Sequence, residues 1–304
     1  MGSVVVVDGL RKRYRDLTAV DGVSFEVRSG EIFGMVGPNG AGKTTTVECM
    51  EGLRRWDEGS VRVLGLRPQE DRRELMERIG IQFQTSALPP RVRVREAMDL
   101  FSSFYRRTTD WRQLLEQVGL REKEHASFGE LSGGQKQRLF VALALINDPE
   151  LVFLDELTTG LDPQSRRAMW DLVAGVRRRA NTVFLTTHYM EEAEHLCDRV
   201  AIMDHGQIVA LDTPANLIAS LGGKHCVVLE VGGTFDRTAF EGLPGVSRVE
   251  EAGGRVTVYG EREGLVSAVV NALEKRGIPF RNLRTEDPSL EDVFLALTGR
   301  EMRG

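Results

Sequence analysis

Cysteine is scarce: Cys49, Cys197 and Cys226 are the only three in 304 residues, widely separated and without a C-x-x-C pair. That spacing excludes a disulfide framework or a thiolate zinc site as the organising feature. Reduced thiols in a cytosolic setting are the expectation. Long hydrophobic runs are also missing. Leu139–Ile146 and Leu151–Leu154 are the longest, well short of the ~18 apolar residues of a spanning helix. No basic stretch leads a sustained apolar run at the start, so no signal peptide is read. Charge of one sign is not concentrated either. Forty Lys and Arg stand against 45 Asp and Glu, a net charge of -5 with no basic block. This argues against a protein that holds nucleic acid mainly by neutralising its phosphates. Internal repeats and low-complexity segments are absent as well.

What is present is alternation. Buried-strand runs at Glu31–Gly37, Leu151–Glu156, Thr182–His188 and Arg199–Ala210 are separated by helical patterns such as Asp162–Arg179. Strands and helices in turn imply an α/β fold with a mostly parallel sheet covered on its faces by helices. From about residue 85 to 135 helical periodicity takes over, with Ala97, Phe101, Phe104 and Tyr105 spaced as one apolar stripe. A composition break at Leu221–His225 precedes a different pattern: strands in "CVVLEV", "VSRVEE", "RVTVYG" and "PFRNL", and helices over Gly264–Gly277 and Ser289–Gly299. The expectation is a first domain, 1–221, with a helical insertion, and a small C-terminal α+β domain, 222–304, of ferredoxin-like type.

The chemistry sits in short motifs. "GPNGAGKT" fits G-x-x-x-x-G-K-[ST] at Gly37, Gly42, Lys43 and Thr44, between a strand and a helix. Glycines let backbone N–H groups turn inward around phosphates, and the helix N-terminus adds its positive end. Lys43 reaches the β/γ-phosphates and the Thr44 hydroxyl suits Mg²⁺. This reads as a nucleoside-triphosphate site. The strand "LVFLDE" delivers Asp155 to the carboxyl edge of the sheet, where ligands of open α/β sheets collect. Asp155 suits the magnesium shell, and Glu156 suits the polarisation of an attacking water.

A second glycine loop, "LSGGQ" at Leu131–Gln135, opens another helix. With it, the chain resembles the ATP-binding cassette (ABC) ATPases, the P-loop NTPase motor subunits of ABC transporters, over roughly residues 4–220. The resemblance implies a head-to-tail dimer with a second copy or a related cassette. In it, ATP on one phosphate loop (Gly37, Asn39, Gly40, Gly42, Lys43, Thr44, Thr45) is capped by the other subunit's signature residues Ser132, Gly133, Gly134 and Gln135. It further implies Gln84 as the glutamine that senses magnesium and the γ-phosphate, and His188 as the histidine that contacts the γ-phosphate. Asp162 becomes a D-loop residue crossing the dimer interface, and Tyr14 the aromatic that stacks on adenine. Glu156, His188 and Gln84 are then the catalytic set, with Thr44, Gln84 and Asp155 as metal ligands, and ATP and Mg²⁺ as cofactors. Gln84 is preferred to Gln82 because it is read as closing its strand. Leu157 stands where the family usually has proline.

The tail "DPSLEDVFLALTGR" resembles that of the daunorubicin/doxorubicin-resistance type exporter ATPases, partners of ABC-2 type permeases. This implies separate integral membrane permease subunits, docking beside Gln84 near "TSALPPRVRVREAM". It also implies a peripheral place on the cytoplasmic face of the membrane, no nucleic-acid partner, and export of a compound such as a drug or antibiotic. Two alternatives stay open: an importer ATPase, and a soluble non-transport cassette protein acting on the ribosome or nucleic acid. The C-terminal domain is read as regulatory or dimer-stabilising.

Overall fold

The computed structural model describes residues 2–177, 182–221, 225–231, 240, 242–252, 254–260 and 264–299. They divide into two units, Met1–Val209 and Ala210–Gly304. The expected break at Leu221–His225 falls partly on 222–224, outside the described residues.

The first unit opens with β1 (Ser3–Tyr14) and β2 (Leu17–Arg28), whose burial alternates along much of each strand. One face of each is wet, the habit of an antiparallel strand. With β4 (Glu58–Val63) they form an antiparallel sheet in the order β2-β1-β4. Sequence reasoning missed this sheet, because its strands mix buried apolar residues with exposed polar, charged and glycine positions and read as neither continuous core nor helix.

By contrast, β3 (Ile32–Val36), β6 (Leu151–Asp155) and β7 (Thr182–Thr187) are buried at every residue. β5 (Ile79–Gln82), β6, β7, β3 and β8 (Arg199–Asp204) run parallel side by side, and β9 (Gln207–Asp212) completes the order β5-β6-β7-β3-β8-β9. Phe33, Phe153 and Phe184 lie in register on one face, and Phe25 of β2 stacks on Phe33 with ring centroids 5.4 Å apart. That aromatic cluster fastens the antiparallel sheet to the parallel one, and Phe184→Ala there is expected to cost about 3–5 kcal/mol.

The helices of the unit are α1 (Lys43–Met50), α2 (Arg72–Arg78), α3 (Val94–Ser102), α4 (Trp111–Gln117), α5 (Gly133–Ala144), α6 (Pro163–Arg177) and α7 (Met190–Leu196). Three sequence expectations are corrected here. The run Arg199–Ala210 is not one strand: His205 and Gly206 take positive φ and turn β8 back into β9. The apolar stripe of the insertion also fails, since α3 stops at Ser102 and buries Val94, Ala97 and Met98, leaving Phe104 62% exposed. Finally, it is Gln82 that ends β5, buried with its Nε2 donating to the Phe83 carbonyl, while Gln84 lies two residues beyond.

The second unit contains α8 (Pro214–Ala219), β10 (His225–Val231), β11 (Val246–Ala252), β12 (Arg255–Gly260), α9 (Leu265–Arg276), β13 (Phe280–Glu286) and α10 (Leu290–Thr298). Its sheet is antiparallel throughout, in the order β11-β12-β10-β13. This is the strand order of a ferredoxin-like sheet, with the hairpin strand β12 inserted beside β10. The segment 232–239, between β10 and β11, is outside the described residues. Val227, Leu229, Val256 and Val258 pack on Leu265, Val269 and Leu273 of α9. Ser289 caps α10 through a reciprocal box with Asp292. β13 runs three residues past the expected "PFRNL" to Glu286.

Candidate functional site

The site is built where β3, β6 and β7 end. Gly37, at φ 155, lies so close to β8 that a Cβ there would sit 2.1 Å from the Met203 carbonyl. Gly42, at φ 103, would place one 2.3 Å from the Ala19 carbonyl. Only glycine allows the loop to turn this tightly, and α1 starts directly after it with no side-chain cap and no acid in its first turn. Its leading N–H groups are therefore left for an anion. Asn39 and Gly40 are exposed, and Thr44 and Thr45 half-buried, on the same loop and helix start.

Lys43 is 4% exposed, and its ammonium donates to the carbonyls of Gly37 (2.7 Å) and Pro38 (3.1 Å). Burial lowers its pKa, while the carboxylates of Glu156 and Asp155 pull it back up. Across from it stands Asp155, last residue of β6, paired in register with Thr186 of β7. The Thr186 hydroxyl donates to Asp155 Oδ1. Burial raises the Asp155 pKa against that hydrogen bond, so a cation beside it would be welcomed.

Glu156 leaves the strand at φ 47, a left-handed backbone unusual for a side-chain-bearing residue. Its N–H is held by the Thr186 carbonyl (3.1 Å) and hydroxyl (3.2 Å). That twist aims the carboxylate at three other sequence-selected groups. Gln84 Nε2 donates to Oε2 at 2.8 Å, His188 Nδ1 approaches Oε2 at 3.5 Å, and Lys43 Nζ stands 3.8 Å from Oε1. Although exposed in its loop, Gln84 is the glutamine that reaches the carboxylate; the buried Gln82 makes no bond to it.

The donor set fits a hard cation. The Thr44 hydroxyl, Asp155 carboxylate and Gln84 carbonyl all offer oxygen, and the Gln84 amide nitrogen is already engaged by Glu156, which turns its oxygen elsewhere. No cluster of three or more His, Cys, Asp or Glu able to hold a metal occurs among the described residues. One carboxylate plus a hydroxyl is the sparse protein contribution usual for magnesium shared with phosphates.

The remaining selected residues lie apart from this group. Ser132 caps α5: its hydroxyl accepts from Gln135 N (3.3 Å) while Gln135 Oε1 accepts from Ser132 N (2.9 Å). Ser132 and Gly133 are exposed. Among the described residues no hydrogen bond or ion pair joins Ser132, Gly133, Gly134 or Gln135 to Lys43, Asp155, Glu156 or His188. Asp162 is exposed at the start of α6, where its carboxylate accepts from Gln164 N, Ser165 N and the Ser165 hydroxyl; those bonds lower its pKa. Tyr14 is half-buried, with the Arg54 guanidinium 5.2 Å and Lys12 Nζ 5.4 Å from its ring centroid.

Comparison with known proteins agrees with this geometry. Residues 20–159 match the family model described as "ABC transporter". "Nod factor export ATP-binding protein I" of Ralstonia nicotianae is 40% identical over 99% of this chain and 95% of its own length. The protein of that name from Rhizobium sp. strain N33 is 41% identical over 99% of each. The chain belongs to the ATP-binding subunits of ABC transporters. Solved structures agree on the fold. An ATP-binding subunit of an ABC transporter superposes with TM-score 0.65 at 24% identity, covering 72% of this chain and 94% of that one. A dimeric bacterial ABC transporter cassette gives 0.62 at 24%, covering 69% and 98%. The protein is thus an ATP-hydrolysing subunit of a transporter, using ATP with Mg²⁺. Members of the family dimerise and work with membrane permease components. No helix among the described residues of this ABC subunit is long and apolar enough to cross a membrane.

Sequence reasoning overlooked several groups around this subunit's site. Thr186 was seen only as part of a strand, yet it holds both Asp155 and the Glu156 backbone. Glu51, at the end of α1, is 2% exposed, and its pKa is pushed up to about 9 by burial, with Asp155 and Glu48 adding to the rise. Burial thus favours its neutral acid form over a second anion beside Asp155. Gln137 of α5 donates to the Leu157 carbonyl (3.0 Å), tying the helix behind the signature loop to the turn after Glu156. Leu157 itself is buried.

Proposed function

We propose that this ABC subunit is the motor of an exporter, closing with a second cassette head to tail on ATP and driving separate ABC-2 type permease subunits. The reading is carried by one observation: a single buried carboxylate, Glu156, stands within reach of Lys43, Gln84 and His188. Phosphoryl transfer depends chiefly on positioning and on stabilising charge, and this is a site built for both.

In this mechanism Lys43 and the amides of Gly37–Thr45 hold the phosphates, and Tyr14 stacks on the adenine. Thr44, Asp155 and Gln84 would hold Mg²⁺, whose charge offsets that of the phosphates when bound. Glu156 accepts a hydrogen bond from the attacking water and orients it in line with the γ-phosphate. Gln84 steadies the carboxylate, and His188 offers a ring nitrogen to the γ-phosphate. Ser132, Gly133, Gly134 and Gln135 of the second copy close the site, with Asp162 at the shared interface. Each copy alone binds ATP and hydrolyses it poorly. Closing on ATP and opening after hydrolysis is the stroke delivered to the permease, at the cytoplasmic face of the membrane.

Export is favoured by the relatives that are Nod factor export ATP-binding proteins and by the tail "DPSLEDVFLALTGR". We assign the 222–304 region a regulatory or dimer-stabilising part. The exported compound, a drug or antibiotic among the candidates, is chosen by the permease. The test is to solubilise native membranes gently, capture the subunit and identify its companions by mass spectrometry. A stoichiometric, strongly hydrophobic permease is expected. Recovery from cytosol alone, with ribosomes or nucleic acid, would overturn export and leave the ATPase assignment standing.

A further inference from the structure

An imidazole that must meet a phosphate at a fixed angle needs something to hold its ring. The usual device is a hydrogen bond on the ring's other nitrogen. His188 lacks it: Nδ1 is buried without a hydrogen-bond partner, since its 3.5 Å approach to Glu156 Oε2 is an ion-pair distance and not a directed bond. What His188 does have is a neighbouring ring. Its imidazole centroid is 4.1 Å from that of Tyr189, tilted by 42°. Tyr189 is in turn fixed twice. Its N–H donates to the Thr187 hydroxyl at 2.9 Å, which sets the backbone, and the Arg166 guanidinium carbon lies 4.2 Å from its ring centroid, which holds the side chain through the ring's electron-rich face. Arg166 belongs to the first turn of α6, its N–H bonded to the carbonyl of Asp162 at 2.9 Å. The Arg166 Nε, also buried, has no hydrogen-bond partner; besides the Tyr189 ring, the guanidinium's charge acts on the buried Glu192 carboxylate.

We infer that Tyr189 is a positioning residue for His188, and that Arg166 holds it there, so that α6 and its Asp162 turn set the aim of the histidine within one chain. This rests on the reading of His188 given under Proposed function. A shift of the Asp162 turn when two cassettes meet would move Arg166, then the Tyr189 ring, then the imidazole.

The test uses the full chain with its histidines isotopically labelled. There are five, and the His188 ring signals are assigned by their disappearance in His188→Ala. In the native protein these signals carry a ring-current shift from Tyr189. Tyr189→Phe, which keeps the ring and loses only the hydroxyl, is expected to retain that shift and hydrolyse ATP within about twofold of native. Tyr189→Ala is expected to lose the shift and drop kcat about tenfold or more at nearly unchanged KM for ATP, as loss of orientation does. Should Tyr189→Ala not fold, Tyr189→Leu, which keeps much of the volume without the ring, carries the same expectation. Arg166→Ala is expected to fall between. An unmoved His188 shift in the ringless variant, or an unmoved kcat with the shift lost, overturns the inference. If His188→Ala itself keeps full turnover, the γ-phosphate reading of His188 falls, while the ring shift still reports whether Tyr189 holds it.

Discussion

The two glycine loops of this protein each begin a helix, but with different caps and different surroundings. At the first, α1 starts uncapped behind Gly42, and a buried lysine, an aspartate and a glutamate converge in front of it. At the second, α5 starts with its own reciprocal cap between Ser132 and Gln135, and Ser132 and Gly133 face solvent with no catalytic group bonded to them. A helix start that satisfies its own leading N–H groups has less need of a bound anion. One that leaves them open is a receptor. The first loop is thus half of a pocket already assembled within the chain, and under the proposed mechanism the second would meet its anion only when another copy brings it.

The largest way to break this contrast is at Glu156. Glu156→Gln keeps the loop, Lys43 and the volume of the side chain, but removes the charge that orients water. ATP binding should persist, an ATP-dependent dimer should accumulate in light scattering, and hydrolysis should fall by about 10²–10³-fold. Full activity in this variant would remove Glu156 from the chemistry. The next effect is expected at the other loop. A Cβ on Gly133 meets nothing within 4 Å, so Gly133→Asp should fold normally and bind ATP at its own phosphate loop. It presents a carboxylate where the partner's γ-phosphate would arrive, so the dimer should not form and hydrolysis should drop to background. Hydrolysis by a monomeric Gly133→Asp would show that the two loops do not divide the work. The smallest effect is expected at Leu157→Pro. The Leu157 carbonyl that accepts from Gln137 survives in proline, and turnover should stay within a few-fold. Complete loss would show that the turn after Glu156 needs the leucine side chain itself.

Much of the first unit could be read in advance because its signals are local. Five adjacent buried apolar residues can hardly be anything but a central strand, and a glycine loop between a strand and a helix declares its geometry through spacing alone. What escaped was set by tertiary context. The end of α3 at Ser102 is invisible in a period that continues to Phe104. The turn at His205–Gly206 sits in the short polar stretch Asp204–Gln207 between two apolar runs, which the one-strand reading passed over. Gln84 and Gln82 are two residues apart in similar company, and only the fold shows which one is buried in its strand and which reaches Glu156. Glu51 and Thr186 carry no motif at all; their importance comes from what burial and a neighbouring strand place beside them. Tyr189 and Arg166 lie 23 positions apart, and nothing in either local pattern suggests that they meet.

The left-handed backbone at Glu156 has a further consequence. Such a conformation costs a side-chain-bearing residue on the order of 1 kcal/mol that glycine does not incur. As far as folding alone is concerned, glycine would serve better here. If Glu156 acts as proposed, the position is one where selection for a sturdier protein and selection for a working one pull in opposite directions. A lineage that stopped needing the reaction would be free to lose the glutamate first and gain stability by doing so.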